Sequence, residues 1–163
     1  MILLAIDPGL EKTGYAIFKK SLNAKIKYQF ITSGLIVTSK NLQKGERLLN
    51  IYKNLLKLVD KFHPQKIIFE NIFYFKNQKT IVSVSQAQGV ILLLAGQKKI
   101  PLDYLSPLNI KQIITGYGRA DKKAIKKMID LTLKLPKKPA DDNEYDAIAC
   151  GLAYCFQNLK LLK

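Results

Sequence analysis

The chain has 163 residues and a net charge of +15 at pH 7, and 48% of its residues are hydrophobic. We expect a single soluble domain over residues 1–163, because this length buries a substantial core and no apolar run approaches the ~20 residues of a membrane span. Two cysteines and one histidine are too few for a zinc site. Residues 1–7 predict a strand rather than a secretion signal, so we expect a cytoplasmic protein.

The excess of positive charge has two explanations. One is a solvated, lysine-rich surface produced by a biased genome composition, in line with Arg47 and Arg119 being the only arginines. The other is a polyanionic partner, whose phosphates such a surface would neutralise with release of counterions. Charge alone leaves DNA, RNA and an anionic membrane equally open as that partner.

The first half of the chain predicts a meander followed by a crossover. Strands over 2–7, 13–18 and 25–37 have short connections, which favour antiparallel pairing. The helix predicted over about 43–62 has apolar residues at i, i+3, i+4 and i+7 spacing, and the strand over 66–70 follows it. Because a strand–helix–strand passage favours a right-handed parallel crossover, we expect the fourth strand beside the first.

The second half predicts four helices and one strand. The helix over 78–96 carries a small-residue face that would pack on the sheet or against a second subunit, and both alternatives stay open. A strand at 102–105 follows, and Ser106-Pro107 has the order of an N-cap and first helical residue. The remaining predicted segments are a helix to Thr115, a lysine-rich helix from Asp121 to Leu133, a basic link at 136–139 and a last helix from Asp142 to Asn158.

Two strands end in a carboxylate, which is unusual because an unpaired buried carboxylate is costly. The first strand ends at Asp7 and the fourth at Glu70. If these strands are parallel neighbours, both side chains emerge at one edge of the sheet, where open α/β sheets bind their ligands. We therefore expect Asp7 and Glu70 to share metal ions.

The start of the last helix supplies further acids. Asp146 leads into an apolar run that must be buried, and Asp142 lies four residues earlier on the same helical face. The helix dipole alone favours acids at this position, and pairing with lysines is a rival explanation for them. Converging carboxylates without Cys or His suit Mg²⁺ or Mn²⁺, and two such ions can support phosphodiester hydrolysis without a histidine base.

Taken together, these segments resemble the RuvC family of Holliday-junction resolvases, within the ribonuclease-H-like superfamily. The matching segments extend over nearly the whole chain and are specific through their order and spacing. They are Ile6-Asp7-Pro8-Gly9, Thr13-Gly14-Tyr15-Ala16, Phe69-Glu70 with Phe73 and Lys76-Asn77, Gln86-Ala87-Gln88-Gly89, Ile110-Lys111, Gly116-Tyr117-Gly118, Lys122-Lys123, Leu133-Lys134-Leu135-Pro136 and Asp146-Ala147-Ile148-Ala149.

The resemblance implies an α/β, ribonuclease-H-like fold with a five-stranded mixed sheet flanked by helices. It implies a homodimer that resolves four-way DNA junctions by paired symmetric nicks in recombination and repair, using two Mg²⁺ or Mn²⁺ ions and a branch-migration motor complex. Asp7, Glu70 and Asp146 match catalytic metal ligands. The predicted DNA contacts are Phe73, Tyr74, Lys76, Lys111, Tyr117, Arg119, Lys122 and Lys123, with Phe73 stacking at the junction.

One position departs from the family pattern. Three residues before the final aspartate the family has Asp or His, whereas this chain has Asn143. We favour Asp142 as the fourth acid, with Asn143 as the alternative. Two other functions stay open: a related nuclease acting on RNA, like the YqgF group, and a non-catalytic junction-binding protein in which Asn143 marks a decayed site.

Overall fold

A computed structural model describes residues 1–21, 28–70 and 78–157, without the side chains of residues 78–80. The strands within these residues are β1 (Ile2–Asp7), β2 (Lys12–Lys20), β3 (Tyr28–Val37), β4 (Lys66–Glu70) and β5 (Leu102–Leu105). The helices are α1 (Lys44–Phe62), α2 (Gln78–Lys98), α3 (Pro107–Thr115), α4 (Lys122–Thr132) and α5 (Asp142–Gln157). Each predicted element is present, with bounds that differ by a few residues.

The strands form one mixed sheet in the order β3-β2-β1-β4-β5. The pairs β1–β2 and β2–β3 are antiparallel, whereas β1–β4 and β4–β5 are parallel. The predicted meander, the parallel placement of the fourth strand beside the first and the five-stranded mixed sheet are therefore confirmed.

Helices cover both faces of the central strands, and β1 shows this most clearly. Its side chains alternate between the faces, as the strand period of two requires. Leu3 and Ala5 join the core under α3, α4 and α5, while Leu4 and Ile6 join the core under α1 and α2. All four side chains are fully buried, which explains why β1 is a nearly continuous apolar run up to Asp7.

Two glycines allow α5 to lie unusually close to the sheet. A Cβ atom on Gly14 of β2 would collide with the backbone carbonyl oxygen of Asn143. A Cβ atom on Gly151 of α5 would come within 2.5 Å of the Phe18 ring and 3.0 Å of the Ala5 Cβ. The close approach at both points fixes the height and direction of α5 over β1 and β2.

Side-chain contacts define the starts of α3 and α4, and the N-cap predicted at Ser106 is confirmed. The Ser106 side chain accepts a hydrogen bond from the Asn109 amide at 3.1 Å, and Asp121 accepts one from the Ala124 amide at 2.8 Å. These contacts satisfy amide donors that a helix N-terminus leaves unpaired. At the C-terminal end of α1, His63 adopts a left-handed conformation with φ 47° directly before Pro64.

Two further findings concern side chains away from the sheet edge. Cys150 and Cys155 are free, buried thiols. In the part of the chain that the structure describes, no helix is both long and apolar enough to cross a membrane.

Candidate active site

The parallel pairing of β1 and β4 brings two carboxylates to one edge of the sheet. Ile6 pairs with Phe69, and the next residue on each strand is the last one, Asp7 on β1 and Glu70 on β4. Both side chains follow buried apolar runs, so the strands direct them to the border between core and solvent. The arrangement is the one expected from the two strand ends.

A third carboxylate comes from α5. Asp146 is 27% exposed and lies one turn beyond Asn143, which contacts Gly14. Gly14 is the β2 partner of Asp7, so the close seating of α5 brings its first turns over the end of β1. Asp146 and Glu70 line a common cleft of about 230 Å³, together with Lys111 and Lys122.

These acids repel one another strongly because they are close together and partly buried. Burial, followed by repulsion from Asp146 and Glu70, raises the pKa of Asp7 to about 8. Burial and repulsion from Asp146 raise the pKa of Glu70 to about 7, against the opposing effect of Lys111 and Lys122. A cluster of acids whose ionisation is held back by burial and mutual repulsion is a feature typical of functional sites.

Lysines of α4 neutralise the neighbouring acids. Lys122 Nζ lies 3.1 Å from Asp146 Oδ2 and 3.4 Å from Asp142 Oδ2, and Lys126 Nζ lies 2.6 Å from Asp142 Oδ1. The lysine-pairing explanation therefore accounts for the contacts of Asp142 and for one oxygen of Asp146. Within the described residues, no three acidic, histidine or cysteine side chains already converge to hold a metal ion.

The two candidates for the fourth position face different ways. Asp142, with a side chain that is 52% exposed, turns towards α4. Asn143 turns towards the sheet, and its side-chain amide donates a long hydrogen bond of 3.4 Å to the Lys12 carbonyl oxygen. The ion pair of Lys12 with Asp141, which sequence reasoning missed, lies beside Asn143, and the hydrogen bond from Lys12 lowers the pKa of Asp141.

The predicted DNA contacts fall into two groups. Lys111 and Lys122 line the cleft with Glu70 and Asp146, while Lys123, Arg119 and Tyr117 are exposed around the start of α4. Tyr117 is 60% exposed. Phe73, Tyr74 and Lys76 lie outside the described residues.

The residues present fit a divalent cation. Among the described residues, neither Asp7 nor Glu70 has an ion pair or hydrogen-bond partner within contact distance, and together with Asp146 they offer only hard oxygen donors. Mg²⁺ and Mn²⁺ prefer such donors, and a bound cation would remove the repulsion that raises the pKa values of both acids.

Comparison with known proteins agrees with this geometry. A family profile described as crossover junction endodeoxyribonuclease RuvC matches residues 3–155. The chain is 39% identical over 160 residues to the protein of that name from Petrotoga mobilis, covering 98% of this chain and 95% of the relative. It is 41% identical over 155 residues to the one from Thermosipho melanesiensis, covering 95% and 96%.

A solved structure shares the whole fold. The Thermus thermophilus RuvC in complex with Holliday junction substrate superposes with a TM-score of 0.86 at 25% identity, covering 97% of this chain and 94% of the other. The sheet order, the acids at the strand ends and the match over nearly the full length agree with one another. The chain belongs to the RuvC family of crossover junction endodeoxyribonucleases.

Proposed function

We propose that this protein resolves four-way (Holliday) DNA junctions by paired symmetric nicks in recombination and repair. Membership of the family supports the reaction class, because its curated members are named as junction endonucleases. The observation that carries the proposal is the partly buried pair Asp7 and Glu70, unpaired among the described residues, at one sheet edge. Asp146 lies beside them, and Glu70 and Asp146 share a cleft with two lysines.

Nucleases of this family are metal-dependent, and we propose two Mg²⁺ ions per site here, with Mn²⁺ as a substitute. Asp7, Glu70 and Asp146 would hold them. For the fourth metal contact the sequence favours Asp142, but the packing favours Asn143, which we propose instead. Asp142 is paired with Lys122 and Lys126, whereas Asn143 lies against the strand that pairs with β1, next to Asp7. Bound ions would supply an activated water and charge neutralisation at the phosphate.

The chain's own side chains have separate tasks in this proposal. Lys111 and Lys122 would contact the phosphate next to the cleaved bond, since both residues line the cleft with the acids. The exposed side chains of Tyr117, Arg119 and Lys123 would contact the arms of the junction. Phe73, Tyr74 and Lys76 are proposed as junction contacts on the resemblance alone.

We also propose a homodimer, because two symmetric cuts require two sites related by a two-fold axis. An exposed stripe on α2 supports it: Val82 and Leu93 are 59% and 60% exposed, and a Cβ atom on Gly89 or Gly96 would meet nothing within 4 Å. At helical spacing these residues share one face, and its glycines permit a second helix to approach closely. We also propose that the protein acts in the cytoplasm, together with a branch-migration motor complex.

One assay tests the proposal directly. Purified protein is incubated with an end-labelled synthetic four-way junction, with and without Mg²⁺, and the cuts are mapped on each strand. We expect paired nicks only with the metal, while Asp7→Asn and Glu70→Gln bind the junction but do not cut it. Asp60→Asn, which removes an exposed acid paired with Lys98, is the matched control and should cut normally.

Three results would contradict the proposal. Cleavage that survives in both active-site variants would refute the assigned site. Faster cleavage of structured RNA than of the DNA junction would refute the substrate, and tight junction binding without product under any divalent ion would point to a non-catalytic protein.

A further inference from the structure

A second groove lies at the same end of the sheet as Asp7. Its volume is about 510 Å³, and the described residues that line it include Glu11, Lys12, Arg47, Asp141 and Asn143. It is an open groove bounded by the turn after β1, the first turns of α1 and α2, and the start of α5. Asn143 lines this groove, and Asp146, one turn further along α5, lines the cleft with Glu70, so the start of α5 contributes to both.

Arg47 is held in the groove by a buried hydroxyl. Its Nε donates to Thr38 Oγ1 at 2.9 Å, and that hydroxyl donates in turn to the Leu10 carbonyl oxygen. Thr38 is only 2% exposed, so the chain of hydrogen bonds fixes the guanidinium to the turn that follows Asp7. The remaining N–H donors of the guanidinium are not used by this chain of contacts.

The positive charge of Arg47 is not paired with the other described charged side chains along the groove. The Lys12 ammonium is paired with Asp141, and Glu11 is paired with Lys40 at 3.1 Å. Arg47 has no carboxylate within ion-pair distance among the residues that the structure describes. The groove therefore presents one fixed cation whose planar fork matches the oxygens of a phosphate.

We propose that Arg47 binds a backbone phosphate of the DNA strand that enters the metal cleft, away from the bond that is cut. The inference rests on the proposed function and adds a phosphate subsite to it. An arginine held by Thr38 to the turn after Asp7 would set the register of the strand relative to the acids, which a flexible surface lysine would do poorly.

The test compares charge removal at two positions of α1. Junction affinity is measured for wild type, Arg47→Gln, Arg47→Lys and Lys57→Gln over a range of salt concentrations, in Ca²⁺ so that binding is seen without cutting. We expect Arg47→Gln to bind roughly five- to tenfold more weakly at about 0.1 M salt, with a log–log salt slope smaller by about one. Arg47→Lys should keep the wild-type slope with weaker affinity, and Lys57→Gln, on the exposed face, should match wild type.

Controls separate a DNA contact from a structural role. The melting temperature and Mg²⁺ affinity of Arg47→Gln should equal those of wild type, and Thr38→Val should weaken junction binding while keeping the charge. If Arg47→Gln has the same salt slope as Lys57→Gln, the subsite is refuted, and a lowered melting temperature with an unchanged slope refutes it as well. If wild type itself does not bind the junction, the proposed function fails rather than the subsite alone.

Discussion

Burial and repulsion from neighbouring acids disfavour the ionised forms of Asp7 and Glu70. A bound cation would remove this penalty. Without metal, the raised pKa values of about 8 and 7 mean that the folded protein binds protons more tightly than the unfolded chain. Between the unfolded values near 4 and these folded values, stability therefore falls as pH rises, and it levels off above about pH 8. Metal ions compete with those protons, so metal affinity rises over the same range.

The first prediction concerns this competition. We expect Mg²⁺ to raise the melting temperature more at about pH 9 than at about pH 6, because the acids must lose their protons to bind the ion. Asp7→Asn should make metal-free stability less dependent on pH and reduce the shift caused by Mg²⁺. Thermal unfolding with and without metal at both pH values measures this, and an equal shift at both would contradict it.

The fourth contact gives a second prediction at the residue scale. Asn143→Asp places a further carboxylate beside the strand partner of Asp7 and should raise Mg²⁺ affinity severalfold, because an anionic ligand replaces a neutral one. Asn143→Ala should lower it. Asp142→Asn should leave it nearly unchanged, since that carboxylate is occupied by Lys122 and Lys126. Calorimetric titration of the free protein decides between them, and a larger loss in Asp142→Asn would restore Asp142 as the ligand.

At the scale of elements, the site depends on how closely α5 lies on the sheet. Gly14→Ala would place a methyl group against the Asn143 carbonyl, where backbone must move to relieve the clash. We expect a destabilisation of about 1–3 kcal/mol and a loss of metal affinity, because the first turns of α5 are lifted from the end of β1. Urea unfolding and Mg²⁺ titration test both effects.

A matched glycine provides the control for that change. A Cβ atom on Gly45 in the first turn of α1 would meet nothing within 4 Å. Gly45→Ala should therefore be neutral or stabilise by about 0.5–1 kcal/mol. If Gly14→Ala unfolds at the same urea concentration as Gly45→Ala, the close contact does not position α5.

The elements themselves could be predicted because their signals are local. Each signal depends on only a few adjacent residues. Examples are the apolar runs of β1 and β4, the N-caps Ser106 and Asp121, and the turn before Pro64. The partners of the acids could not be predicted in this way. Lys12 reaches Asp141 and Lys122 reaches Asp146 only after distant segments fold together, and a lysine-rich sequence offers many equivalent candidates for each pair.

The same limit explains why the sequence leaves both Asp142 and Asn143 open as the fourth ligand. Asp142 and Asn143 both lie within about one turn of Asp146, so helical periodicity places both on nearly the same face. The two residues differ in what they contact, because Asp142 faces α4 whereas Asn143 faces β2. Only the packed arrangement contains that information.

At the scale of the whole molecule, the exposed stripe of α2 predicts assembly. Leu93→Asp places a charge in the middle of the proposed two-fold interface, where burying it without a partner is costly. We expect a shift from dimer to monomer in analytical ultracentrifugation at micromolar protein and loss of paired nicking. Leu131→Asp, on an α4 residue that is 72% exposed, is the control and should leave the mass unchanged. A dimer that persists in Leu93→Asp would place the interface elsewhere.

The distribution of the acids along the chain has a consequence for synthesis in the cell. One acid ends the first strand, the second ends the fourth strand and the third lies on the final helix. A nascent chain that ends before α5 therefore lacks Asp146, and only a segment that includes β1, β4 and α5 contains all three acids. The acids can therefore come together only after α5 has been synthesised and has packed on β1 and β2.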